Sequence, residues 1–469
     1  MQIDWQQEYG NRWRILAAIL IGGIMGPIDA SVVNIAFPTI ASAFHVQPST
    51  VGWVSMAYLL ALSSLLLSFG RLGDMFGFKR LYINGLLLFT ISSIACGAAP
   101  NLGALVAFRA IQAIGAGMTM ATAPAIITAV FPPAERGRAL GMNGMSVALG
   151  LALGPSLGGL LVSSLGWRSI FYINVPVGLI ACILSQNLIP DVKTGKVSHS
   201  FDWPGSLLAA LSLTSLLVFV SRGQAMGWSW PVLFVGGTAV VSGISFIYAE
   251  KSRPEPMLDL SLFNNRIFST ANVAALLNFM TQYVVVFSTP FLLQRALDFP
   301  AARAGIVMTA FPLTVLLIAP IAGILSDRIG HRIPAFLGSS LCTLAALALV
   351  SINTGARGFD IAWRLSLFGL GTGLFQSPNN SAVMGSVPRD RLGTAGGVLA
   401  TTRNVGMVAG IAIAGAIFAW RESLQVATGR EIPFLIAIKN AYLAAGVLSG
   451  LATITCLVLF TARMRSKPL

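Results

Sequence analysis

The stretch GRLGDMFGFKRL at residues 70–81 returns in altered form as GILSDRIGHRIP at residues 323–334. In both copies the first Gly is followed four residues later by Asp, seven residues later by a second Gly, and nine residues later by a cation. A polar motif that recurs at so large a separation indicates two copies of a large structural unit.

The composition is that of an integral membrane protein. Of 469 residues, 55% are hydrophobic and only 10% are charged, and the mean hydropathy is +0.79, whereas soluble domains carry roughly a quarter charged residues. A run of about 20 apolar residues can cross the hydrocarbon as a helix. We predict fourteen such spans, at 14–36, 51–69, 81–99, 103–124, 139–163, 169–189, 204–221, 231–249, 268–292, 304–325, 334–351, 361–384, 393–419 and 438–462.

The net charge of +14 is explained by membrane topology. When alternate connections are assigned to one side, most of the 30 Lys and Arg residues fall on the side that holds both termini. The positive-inside rule makes this side cytoplasmic. The basic balance is therefore a topology signal, and we predict no nucleic-acid partner.

The sequence offers no catalytic or metal-binding constellation. Its four cysteines lie within predicted spans at no metal-ligand spacing, and its three histidines are scattered over different loops without acid partners. The fragment KTGKVS at 193–198 lacks the upstream Gly and the following Ser or Thr of a phosphate-binding loop. We therefore predict neither an enzyme nor an ATP-driven pump, with no metal and no cofactor.

The position of the repeat predicts the architecture. Its two copies lie between spans 2 and 3 and between spans 10 and 11, on the same side of the membrane, so the two units are parallel repeats. Eight spans separate the copies where two six-helix units would place six, so two helices are inserted, most simply spans 7 and 8. We predict a six-helix bundle at 1–190, two linker helices with cytoplasmic loops at 191–266, and a second six-helix bundle at 267–469.

Several further motifs occur in order on these spans: PIDASVVNIAFP (27–38), LVAFRAIQAIGAG (105–117), GLALGPSLGG (150–159), GWRSIFYINVP (166–176) and TTRNVGMVAG (401–410). Together with the loop between spans 2 and 3, they resemble the major facilitator superfamily and, within it, the fourteen-helix drug:proton antiporters. Ala113 stands where that family usually has Gly. The resemblance implies an all-α major facilitator fold, a monomer in a bacterial inner membrane, and multidrug efflux driven by the proton gradient, as in antibiotic resistance.

Asp29 is the one acid of 16 that lies deep in a predicted span, where an ionisable group is costly and faces a partner or a water-filled cavity. It lies about 22 Å from the cytoplasmic edge, and Arg109 on span 4 lies about 9 Å from the outer face. In a hydrocarbon core about 30 Å thick these depths coincide. We predict that Asp29 carries the proton and takes part in cation recognition, and that Arg109 tunes its proton affinity. The alternative is a permanent ion pair that holds two helices together.

The repeated loop is predicted to form an ionic latch that closes the cytoplasmic side in one state. The alternative is an anchor that only fixes topology. The predicted gate residues are Gly70, Asp74, Gly77, Lys79, Arg80, Asp327, Arg328 and Arg332.

Span 5 carries a small-residue face with a proline bend, which suits close helix packing. The family resemblance adds a role in sealing the interior against leak, and the two readings are compatible. The motif residues are Gly150, Gly154, Pro155, Gly158 and Gly159.

Polar and flexible side chains inside spans predict a substrate cavity, because unpaired amides in hydrocarbon are costly. The predicted lining residues are Asn34, Gln112, Met118, Asn278, Gln282, Gln376, Asn379, Asn380 and Arg403. With Asp29 the single embedded acid, monovalent lipophilic cations are the favoured substrates. Export or symport of a lipid, a metabolite or an amino acid on the same scaffold is the alternative.

Overall fold

The computed structural model of the chain describes residues 11–190, most of 205–219, and 229–251, 260–388, 391–428 and 434–461. Within these residues the regular structure is helical. The long helices are α1 (Arg12–Ala43), α2 (Trp53–Phe76), α3 (Phe78–Gly97), α4 (Leu102–Val130), α5 (Pro133–Leu165), α6 (Asn174–Leu188), α7 (Trp230–Lys251), α8 (Arg266–Phe291), α9 (Ala301–Ile329), α10 (Arg332–Val350), α11 (Gly358–Gly385), α12 (Leu392–Thr428) and α13 (Phe434–Thr461).

Eleven helices in the described part of the chain are long and apolar enough to cross a membrane. The helices α2 and α11, with 24 and 28 residues, are not among the eleven. The described residues of predicted span 7 are helical, and there Ser212 Oγ donates to the carbonyl oxygen of Ala239 on α7 at 3.2 Å. The all-α membrane architecture is thus confirmed for the described residues, and the count of fourteen spans stays a prediction.

The long helices other than α7 form two bundles of six with matching neighbours. In the first bundle α1 packs on α5 and α6, and α4 packs on α2 and α3. In the second, α8 packs on α12 and α13, and α11 packs on α9 and α10. The helices α8 to α13 therefore pack on one another in the same pattern as α1 to α6. Such matching neighbours are expected for two parallel structural repeats.

Both copies of the repeated loop motif contain a glycine with positive φ where one helix ends. Gly77 ends α2 with φ +93°, and Gly330 ends α9 with φ +84°. Only glycine adopts these conformations without strain, so each copy needs Gly where the chain turns sharply into the next helix. The surroundings of Gly70 and the side chain of Asp74 lie outside what the structure describes.

The two bundles meet at one end of the molecule. We define the near end as the one where α1 begins at Arg12, and the far end as the one where α1 ends at Ala43. At the far end Phe37 of α1 packs on Phe287 of α8, with ring centroids 5.2 Å apart, and Phe287 stacks on Phe418 of α12 at 6.0 Å. All three rings are buried, so an aromatic cluster closes the far end.

Candidate functional site

A fully buried carboxylate occupies the core of the first bundle. Asp29 on α1 has no exposed surface and forms a salt bridge with Arg109 of α4, which is also fully buried. The other carboxylate oxygen of Asp29 accepts from Gln112 Nε2 at 3.1 Å and from Asn174 Nδ2 at 3.0 Å. Three side chains from two helices, α4 and α6, therefore donate to one acid, which meets the requirement that a buried charge be paired and hydrogen-bonded.

The arginine of this pair is held from several sides. Arg109 Nη1 donates to Gln112 Oε1 at 2.6 Å, and Arg109 Nε donates to the carbonyl oxygen of Val54 at 3.2 Å. The guanidinium carbon lies 4.3 Å from the ring centroid of Tyr58, a cation–π distance. Gln112 Nε2 also donates to Ser93 Oγ at 2.7 Å, which ties α3 into the same network.

The predicted approach of Asp29 to Arg109 is observed, and it follows from the equal depths of the two residues in antiparallel helices. Gln112, which the sequence assigned to the substrate cavity, instead belongs to this network. The sequence missed Asn174 and Ser93 as partners of Asp29. Asn174 lies in the motif at 166–176, so its signal was a polar residue inside a motif with no assigned role.

A second feature is a cavity of about 470 Å³ between the two bundles. It is lined by α1, α5, α8, α9, α11 and α12, and it extends towards the near end as far as Gly141 on α5 and Pro320 on α9. Most lining residues are apolar. The polar ones are Ser31, Asn34, Gln282, Tyr283, Gln376 and Arg403.

Four predicted cavity residues line this cavity: Asn34, Gln282, Gln376 and Arg403. The others do not. Met118 packs against α3 at Gly85, and Asn278 is buried behind the cavity wall, where its amide donates to Cys342 Sγ at 3.9 Å. Asn379 is buried and Asn380 is exposed, both away from the cavity.

The small-residue motif of α5 contacts both bundles. The faces at Gly150, Gly154 and Gly158 lie against α1, while Gly159 lies against the α9 backbone, where an added Cβ would be 3.1 Å from Gly305 Cα. Pro155 has no N–H for the carbonyl oxygen of Leu151, and Ser31 Oγ donates to that oxygen at 3.0 Å instead. The motif therefore builds the packing of α5 on α1 and the closure of the far end.

The predicted gate residues lie at the near end, where no ion pair between the bundles occurs among the described residues. Asp327, Arg328 and Arg80 are exposed, and Lys79 and Arg332 are half-buried. The latch itself stays a prediction.

Comparisons with known proteins identify the family of the chain. The chain is 36% identical over 442 residues to the riboflavin transporter RibZ of Clostridioides difficile (strain 630), which covers 93% of this chain and 95% of that protein. It is 32% identical over 429 residues to the multidrug resistance protein Stp of Mycobacterium tuberculosis (strain CDC 1551 / Oshkosh), which covers 90% of this chain and 80% of that protein.

Its fold is similar to the crystal structure of a bacterial homologue of the human lysosomal transporter Spinster in an inward-facing and occupied conformation. The TM-score is 0.70 at 16% identity, with 98% of this chain and 99% of that chain covered. The family model of the Major Facilitator Superfamily matches residues 19–411 and 271–468. The chain is therefore a multi-pass membrane transporter of the Major Facilitator Superfamily, and not an enzyme.

Proposed function

We propose that this transporter exports small organic molecules in exchange for protons by alternating access. The observation that supports this best is the fully buried Asp29, paired with Arg109, in a bundle that borders an open central cavity. A buried carboxylate whose surroundings differ between two conformations can gain a proton in one of them and release it in the other. In this proposal Asp29 carries the proton and Arg109 is its counter-ion.

The closed far end and the cavity that reaches the near end define one of the two states of such a cycle. In the other state the bundles would rock apart at the aromatic cluster and meet at the gate residues near Gly77 and Gly330. The cavity would then face the far side with its substrate. In this cycle the latch would be released in the state described, where Asp327 is exposed.

A smaller pocket of about 220 Å³ inside the first bundle suggests a route for the proton. Its lining residues Met25, Phe89 and Ala116 each lie one helical turn closer to the near end than the polar cluster member on the same helix. Water in this pocket would be about 5 Å from the cluster. The pocket borders the substrate cavity at Val147, which lines both, whereas Met25, Phe89 and Ala116 line the pocket alone.

The cargo is proposed from two sources. The sequence favours lipophilic monovalent cations, as for a multidrug exporter, and relatives include a multidrug resistance protein. The relative named as a riboflavin transporter favours a second candidate, a metabolite carried on the same scaffold. Asp29 itself does not line the cavity and is enclosed by its three partners, so the cavity wall decides the charge of the cargo.

The topology completes the proposal. We propose fourteen spans with both termini and the near end in the cytoplasm of a bacterial cell, in the inner membrane, and a monomer as the working unit. Most of the 30 Lys and Arg residues would then face the cytoplasm.

Proton movement in inside-out vesicles tests the coupling. The lumen is acidified, tetraphenylphosphonium or riboflavin is added, and lumenal acidity is followed in vesicles that hold wild type, Asp29→Asn or Asp298→Asn. Asp298 is an exposed loop acid with φ +51°, a conformation that Asn accepts, so it is a matched acid-to-amide control.

We expect acidity to fall on addition of at least one compound for wild type and Asp298→Asn, and to persist for folded Asp29→Asn. Equal discharge by Asp29→Asn would assign the Asp29–Arg109 pair a purely structural role. Loss of folded protein in Asp29→Asn, with discharge by wild type intact, would point the same way.

A further inference from the structure

Arg403 is a cation inside the membrane-spanning part of the second bundle, and no hydrogen-bond acceptor or acid among the described residues pairs with it. It lies eleven residues into α12, about 16 Å along the helix from its near end. Its Nε atom is buried without a hydrogen-bond acceptor, and no ion pair or hydrogen bond joins Arg403 to the described residues. An unpaired guanidinium at this depth is costly unless water or a ligand satisfies it.

The surroundings of Arg403 are rich in donors. Gln376 Nε2 donates to Gln282 Oε1 at 3.1 Å, and the amide nitrogen of Gln282 donates to no acceptor among the described residues. Tyr283 and Asn34 bring a further hydroxyl and a further amide to the same cavity wall. A ligand that enters here meets several N–H and O–H groups around one positive charge.

No described residue offers a negative charge to this cavity. Arg403 is the one charged side chain among the described lining residues, and the nearest embedded acid, Asp29, is saturated by three donors outside the lining. A lipophilic cation would therefore enter a positively charged cavity without a counter-ion, at a Coulombic cost.

We propose that the cavity recognises small amphipathic organic anions, with a carboxylate or another oxyanion bound by the guanidinium of Arg403 and the apolar body of the molecule against α5 and α9. The fork of N–H donors on Arg matches a two-oxygen anion, and each such charge-assisted bond is stronger than a neutral one. This assignment rests on the proposed export function and names its substrate class.

The alternative is that Arg403 is hydrated by water that enters from the near end and only reinforces the topology of the chain. Under that reading the charge of a bound molecule would not depend on this side chain. Binding of matched ligands of opposite charge separates the two readings, and it needs no proton gradient.

The test uses fluorescein, an anion at pH 8, and rhodamine 123, a cation on the same ring system. Each is titrated by fluorescence polarisation into the purified full-length protein in detergent, as wild type, Arg403→Gln, Arg403→Lys and Arg421→Gln. Arg421 lies on the same helix beside Trp420, outside the cavity lining, and is the matched control. Elution volume and thermal midpoint report folding.

We expect fluorescein to bind wild type more tightly than rhodamine 123 does, and Arg403→Gln to weaken fluorescein binding about tenfold or more. Arg403→Lys should recover part of the loss, because it restores the charge without the fork. Arg421→Gln should match wild type.

Tighter binding of rhodamine 123, unchanged fluorescein binding in Arg403→Gln, or binding of neither dye by folded wild type would overturn the assignment. If Arg403→Gln does not fold, competition of fluorescein by benzoate against benzylammonium on wild type decides it, with benzoate expected to win. With fluorescein as the compound added in the vesicle assay, failure of wild type that binds the dye to discharge the proton gradient would refute proton coupling and leave the assignment of Arg403 intact.

Discussion

Substitution of Gly159 by Val should push the far end open. A Cβ at this position would contact the carbonyl oxygen of Ala301 and lie 3.1 Å from Gly305 Cα, and both are backbone atoms that cannot turn aside. Overpacking of this kind costs about 1–3 kcal/mol. Because the clash exists only while α5 and α9 touch, the cost falls on the closed far end alone. The ratio of closed to open molecules should therefore fall by about 5- to 150-fold.

A cysteine cross-link at another part of the far end measures this ratio. A Cβ at Gly415 would lie 3.7 Å from Ser49 Cβ, inside the range of about 3.5–4.5 Å for disulfides, so the pair Ser49→Cys and Gly415→Cys should cross-link when the far end is closed. The four native cysteines are buried and give little background. The cross-linking rate follows the fraction of closed molecules, so Gly159→Val should slow the cross-link, up to the full change in the ratio once open molecules predominate.

Gly137→Val, on the same helix with open space around its Cβ, should leave the cross-linking rate unchanged. An unchanged rate in folded Gly159→Val would show that the contact between α5 and α9 does not govern closure. A slower rate in Gly137→Val as well would assign the effect to a β-branched residue in α5 rather than to the clash.

Four further substitutions test the reasoning. Ser31→Ala leaves the Leu151 carbonyl oxygen without its donor and should lower stability to thermal unfolding by about 1–2 kcal/mol, while an unchanged thermal midpoint would show that water replaces the hydroxyl. Gly77→Ala and Gly330→Ala should each cost about 1–3 kcal/mol, because both glycines have positive φ; stability equal to wild type would contradict the backbone explanation of the repeat. Asn174→Ala removes a donor from the buried carboxylate and should reduce substrate-driven proton release in vesicles without loss of folded protein; full activity would exclude Asn174 from the coupling network.

The fold was predictable because its signals are one-dimensional. The lengths of the spans, the uneven distribution of cations between alternate loops and the repeated loop motif depend only on position along the chain. Each can be read from the sequence without knowing which face of a helix points into the bundle. The repeat in particular reflects a backbone requirement, a glycine with positive φ after α2 and after α9, which no other residue type fulfils at equal cost.

The candidate sites were predictable only where depth decided the contact. Asp29 and Arg109 meet because two antiparallel helices bring them to the same level. The direction in which a side chain points around the helix axis could not be predicted in the same way. Asn278 and Gln282 lie one turn apart on α8, yet Asn278 contacts Cys342 and Gln282 lines the cavity. In spans that are apolar on every face, the hydropathy pattern does not tell which side of a helix faces water.

The distribution of charge constrains how substrate and proton could be coupled. The acid lies in the first bundle without exposed surface, and the cavity cation lies on α12 of the second. A substrate in the cavity does not compete directly for Asp29 in this state, so simple displacement of the proton by a cation does not fit the geometry. The element common to both sites is α1, which carries Asp29 into the polar cluster and Ser31 and Asn34 into the cavity wall. Under the proposed function, coupling would run through movement of α1 against α5, at the contact where Ser31 holds the carbonyl oxygen freed by Pro155.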